Sequence, residues 1–132
     1  MSPARQGTKL FGWGLIVCSV PILVAPRLAA RMAGITVPDP STASVVRAFA
    51  MRDVVFGAGM VSAATHGGRL DRWLMMRAMI DGGDVVWTTI ALLRGSGRWR
   101  LAGLDLVALA ATACGVTLWR LARAEADGEP GQ

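Results

Sequence analysis

The chain has 132 residues, 53% of them hydrophobic and 17% charged, with a formal net charge of +5. Ordinary soluble domains carry roughly 25% charged residues, so the composition argues against a soluble globular domain, and the length admits a single domain. The positive balance does not make a nucleic-acid surface: the arginines form no stripe with aromatic platforms but flank apolar runs, as Arg27 and Arg31, Arg69 and Arg72, Arg94 with Arg98 and Arg100, and Arg120 and Arg123 do.

That flanking pattern is how a membrane protein distributes charge at its two interfaces. The first run, residues 10–26, has no charge and approaches the ~20 residues that span a bilayer core. Arg5 and Lys9 ahead of it resemble a signal-peptide leader, but cleavage needs small residues at −3 and −1. The available pairs are Ala25 with Leu23, Ala29 with Arg27, and Ala30 with Leu28, so an uncleaved first span is expected. Pro21 lies within it and predicts a kink.

Residues 35–43 are turn-rich, with Pro38 and Pro40 around Asp39, and Ser41, Thr42 or Ser44 can cap the next helix. A second span is expected over 44–66, stopped by Gly67 and Gly68. A third is expected over 70–93, and a fourth over 99–121 after a short turn at 94–98. These give a membrane domain over 1–122 and a disordered acidic tail over 123–132. Short connections favour antiparallel neighbours. The expected fold class is therefore all-α, an antiparallel four-helix transmembrane bundle. Trp13, Trp73, Trp99 and Trp119 lie near run ends, as interfacial aromatics do, whereas Trp87 falls inside the third run. Cys18 and Cys114 sit in apolar runs and read as small packing residues.

The second and third runs carry the informative residues: Arg47, Arg52 and Asp53, then Arg77, Asp81 and Asp84. A helical residue advances ~100°, so Asp81 lies ~40° from Arg77 and Asp84 ~20° to the other side. Arg77 and Asp81 have ion-pair spacing. A lone charge at mid-membrane costs ~2.5–3.5 kcal/mol on the lenient insertion scale, which pairing relieves. The six residues sum to three positive and three negative charges, so a closed neutral network can form, with Asp105 available to Arg47 near one interface. Ala50, Asp53, Gly57 and Ala64 share a face, and Gly57 and Gly59 would let another helix approach closely.

Other signals are weaker. Asp81 and Asp84 have a spacing used by Mg²⁺-binding membrane enzymes, but Val85, Val86 and Trp87 follow where further acids would be needed, so no metal is expected. His66 is the only histidine and reads as a solvated cap at a helix end. No nucleophile elbow, phosphate loop or haem-attachment motif is present, and no cofactor is expected.

Three pieces of sequence carry a family resemblance: Ala25-Pro26-Arg27 followed by Ala33-Gly34, Arg52-Asp53 with Gly57, and Asp81 with Asp84. With these the chain resembles the small bacterial four-span membrane proteins of unknown function, similar in layout to the DoxX-like group, over most of residues 9–122. The resemblance implies four helices and an inner-membrane, multi-pass location, and it implies no activity. The even span count puts both termini on one side, and the basic residues lean to cytoplasmic termini.

The function expected from these readings is a non-enzymatic accessory or interaction subunit with a buried Arg/Asp network. Its expected partners are the lipid bilayer and either another membrane protein or a second copy of the chain. The alternatives are a small carrier or conduit for protons, ions or a small apolar molecule, and a membrane enzyme using Asp81 and Asp84.

Overall fold

The computed structural model describes residues 1–32, 39–94 and 98–127, with the side chains of residues 32, 91 and 98–105 outside the description. Five helices follow one another: α1 Pro3–Val24, α2 Pro26–Met32, α3 Pro40–His66, α4 Leu70–Leu93 and α5 Arg98–Asp127.

The helix starts are chemically simple. Prolines stand at the first position of α1, α2 and α3, where the missing N–H is no loss and the fixed φ suits a helix. Ser2 accepts from the Arg5 N–H ahead of α1, and Asp39 accepts from the Thr42 N–H at 2.9 Å ahead of α3. Three hydroxyl and amide donors of Ser41 and Thr42 converge on the Asp39 carboxylate and hold it below the usual range, at about 2, with the Ser41 hydroxyl the largest influence. At the other end of α3, Gly67 takes the left-handed conformation, with φ of 77°, which a side chain would oppose. The α3–α4 turn follows directly.

The helices pack antiparallel in a ring, α1 on α3, α3 on α4, α4 on α5 and α5 on α1. The α1–α3 and α4–α5 pairings are extensive, and the α3–α4 and α5–α1 contacts are much slighter. Close approach of α1 and α3 depends on paired glycines. A Cβ on Gly57 would fall 2.5 Å from the Gly12 carbonyl oxygen, and one on Gly12 would fall 2.7 Å from that of Gly57. Gly59 serves a different neighbour, the flat face of the Trp73 ring on α4, which also stacks edge-on against Phe56 at 5.9 Å. The apolar core gathers at the end of the bundle that holds the α3–α4 turn. Met60, Ala63 and Ala64 of α3 meet Leu70 and Leu74 of α4 and Leu118 of α5 there, with Phe11 and Leu15 of α1 beside them.

Two expectations need correction. The four-helix transmembrane bundle is replaced by an all-α bundle of five helices. The extra element, α2, begins at Pro26, a residue that reads as the end of an apolar run although proline both stops one helix and starts the next. Moreover, only α1 and the Leu106–Asp127 portion of α5 are long and apolar enough to cross a membrane, among the described residues. The many charges of α3 and α4 remove those helices from that class. The multi-pass inner-membrane location and the four-span DoxX-like likeness lose their basis with them. The α5 helix continues through Asp127, and residues 128–132 lie outside the described part.

Candidate functional site

Between α3 and α4, beyond the apolar core, five charged side chains form one continuous chain in the order Asp84, Arg52, Asp53, Arg77, Asp81. Arg52 donates to both oxygens of Asp84, through Nη2 at 2.9 Å and Nη1 at 3.4 Å, and through Nε to Asp53 Oδ1 at 3.2 Å. Arg77 reaches the same Asp53 oxygen through Nη1, and takes Asp81 with Nε at 2.9 Å and Nη2. The planar fork of each guanidinium makes this possible, since it can serve two carboxylates in one plane.

The chain runs from inside to outside. Arg77 and Asp81 are buried, and Arg52, Asp53 and Asp84 are half-buried. No buried side-chain polar atom among the described residues lacks a partner, the condition under which buried charge is tolerated. The Arg52 guanidinium also lies over the Phe49 ring at 5.2 Å. The charged chain links α3 and α4 beyond the apolar contacts that Met60, Phe56, Leu74 and Trp73 make nearer the turn.

Arg47, expected as the sixth member, is elsewhere. Its Nε donates to the Leu23 carbonyl of α1 at 3.1 Å. That carbonyl is one of the four at a helix C-terminus with no intrahelical partner, and a cation suits it. The Asp105 side chain proposed for Arg47 lies outside the described residues. Two guanidiniums therefore face three carboxylates, leaving one formal negative charge in excess.

Asp81 and Asp84 do not converge on a common point. Asp81 belongs to Arg77 and Asp84 to Arg52, and no group of three or more metal-ligating side chains gathers among the described residues. His66 is exposed at the end of α3, with Nδ1 3.0 Å from the Ser62 carbonyl oxygen. Both cysteines are exposed and unpaired.

A second set of contacts is not evident from sequence. Arg5 of α1 donates through Nη1 to the Ala63 carbonyl at 3.2 Å, the carbonyl that also takes the Gly67 and Gly68 N–H groups at the end of α3. In return the Glu125 carboxylate of α5 accepts from the Ala4 N–H at 3.0 Å at the start of α1. Charges of the appropriate sign thus close helix ends across the bundle. Such caps act between residues 121 and 58 positions apart, beyond the reach of any local motif.

No family model, curated protein or solved structure matches the chain.

Proposed function

We propose that the protein is a non-enzymatic helical interaction component that works in contact with lipid, with the Arg/Asp chain holding α3 to α4. One observation carries this reading, an inversion of the usual polarity. Charge occupies the interior between α3 and α4, while large apolar side chains face outward on every long helix. Leu10, Trp13, Val17, Val20 and Val24 form an exposed stripe along α1 at intervals of three and four residues. Phe49 and Val55 on α3, Met79 and Trp87 on α4, and Leu106, Val107 and Leu109 on α5 are exposed as well. Monomeric water-soluble proteins seldom present so much contiguous apolar surface. The core helix of a soluble protein is no substitute explanation, because only 17% of the apolar window of α1 and 6% of that of α5 is buried.

The same geometry speaks against catalysis by the aspartates. Each is already engaged by a guanidinium, and Asp81 and Asp84 serve different arginines, so neither is poised as a base. The conduit reading keeps one supporting observation, the uncompensated negative charge of the five-residue chain, which offers a place for a proton.

Single-tryptophan variants of the full chain, reconstituted in vesicles with brominated acyl chains, test the proposal. Trp13 and Trp87 should be quenched and Trp73 shielded. A protein that stays monodisperse in water without lipid, with Trp13 and Trp87 unquenched, overturns it. Proton flux in the same vesicles that disappears in Asp84→Asn would transfer the argument to the conduit.

A further inference from the structure

The end of the bundle that carries the apolar core also holds a cavity of about 790 Å³, walled by the start of α1, the α3–α4 turn and the end of α5. Three guanidiniums and three carboxylates line it: Arg5, Arg69 and Arg123, with Asp71, Glu125 and Asp127. Two of the carboxylates are committed. Asp71 is held by Arg69 Nη2 at 2.8 Å, and this hydrogen bond keeps its carboxyl below the usual range. Glu125 closes the N-terminus of α1, although its charge remains near Arg5. Asp127 is exposed and has no ion pair among the described residues.

Arg5 and Arg123 are in a different situation from the guanidiniums of the α3–α4 chain. Neither has a carboxylate salt-bridge partner among the described residues. Arg5 is fixed by the Ala63 carbonyl, and Arg123 lies flat over the Trp119 ring at 4.8 Å. Neutral groups therefore orient two cations beside a cavity while leaving most of their N–H donors unspent.

We propose that this cavity binds a phosphate ester, with the Arg5 and Arg123 guanidiniums on its oxygens. Guanidiniums match the paired oxygens of phosphate and bind them through two N–H donors at once. The cleft is partly open to solvent and much wider than inorganic phosphate needs, so it leaves room for the group to be carried on a larger molecule. It can arrive as a phospholipid headgroup or as a soluble phosphate ester. The lipid source rests on the proposed contact with lipid, and the soluble source does not.

The test is isothermal titration of the intact chain in neutral detergent with two probes, glycerol 3-phosphate and dihexanoyl phosphatidylglycerol. Glycerol and dihexanoylglycerol serve as phosphate-free controls. One saturable site is expected for at least one phosphate-bearing probe, with no binding of either control. Arg123→Gln, which removes no protein hydrogen bond seen in the structure, should weaken binding roughly tenfold or more. Arg5→Gln should do the same in protein shown by circular dichroism to be folded, and Arg31→Gln at the far end should have no effect. Preference for the lipid probe identifies a headgroup site. Binding of glycerol 3-phosphate alone identifies a soluble ester and leaves the lipid reading to its own quenching test. Absence of saturable binding to both probes, or binding that neither Arg123→Gln nor Arg5→Gln changes, overturns the proposal.

Discussion

Arg52 on α3 grips Asp84 on α4 through both carboxylate oxygens, across 32 residues of sequence. The pair joins the two helices beyond their apolar contacts near the α3–α4 turn, and it is the outer end of a chain whose inner end, Arg77 with Asp81, is buried. Electrostatic pairing links α3 to α4 here, where α1 and α3 instead approach closely through Gly12 and Gly57.

The inner pair sets the first expectation. Arg77→Met would leave Asp81 buried without its cation, while the half-buried Asp53 keeps Arg52, and breaking a buried pair from one side costs about 3–5 kcal/mol. Replacing both partners, Arg77→Met with Asp81→Leu, should restore much of that loss, since an apolar pair of similar volume has no charge to desolvate. Urea unfolding in detergent micelles measures both. A double variant no more stable than the single one would show that the pair contributes more than mutual neutralisation.

The glycines separate close packing from mere helical placement. In Gly57→Ala the new Cβ meets the Gly12 carbonyl, a backbone atom that cannot swing away, and a loss of about 1–3 kcal/mol is expected from overpacking. Gly14→Ala, on the same helix pair but with no atom within 4 Å of the added carbon, should be neutral or stabilising by up to about 1 kcal/mol, as alanine favours helix. Thermal unfolding of the two variants side by side decides the matter, and equal effects would count against the α1–α3 crossing.

Much of this arrangement was legible in the residues. The ion-pair spacing of Arg77 and Asp81 is local, and the opposite charges of the second and third runs allow a neutral network between them, so the Arg/Asp chain can be anticipated. Arg47 could not be placed that way, because its partner is the Leu23 carbonyl, and every residue has a carbonyl. The Glu125 and Arg5 caps were hidden for the same reason. The expected four spans do not hold, because apolar runs interrupted by charge have the length of membrane helices without their hydropathy. In α3 and α4 those charges are numerous enough to change the class of the helix. The short α2 escaped because Pro26 looks like an ending.

Acid should act on the start of α3. Asp39 titrates at about 2 in the folded protein against roughly 3.9 in an unfolded chain. A depressed carboxylate contributes stability that is present above the unfolded value and is lost as pH falls through the folded one. The Thr42 amide should therefore exchange faster as pH drops from about 4 towards 2, after correction for intrinsic exchange. Asp39→Asn keeps an acceptor at the cap and should abolish the pH dependence. An Asn variant with the same acid sensitivity as the wild type would place the titration elsewhere.

The most direct measurement is a double-mutant cycle on Arg52→Gln and Asp84→Asn in the lipid-reconstituted chain, with unfolding free energy as the readout. If the charged chain is what holds α3 to α4, the two substitutions should couple by about 0.5–3 kcal/mol, each single variant removing most of what the pair provides. Strictly additive losses would contradict the account and leave α3 and α4 held together by something other than the Arg/Asp chain.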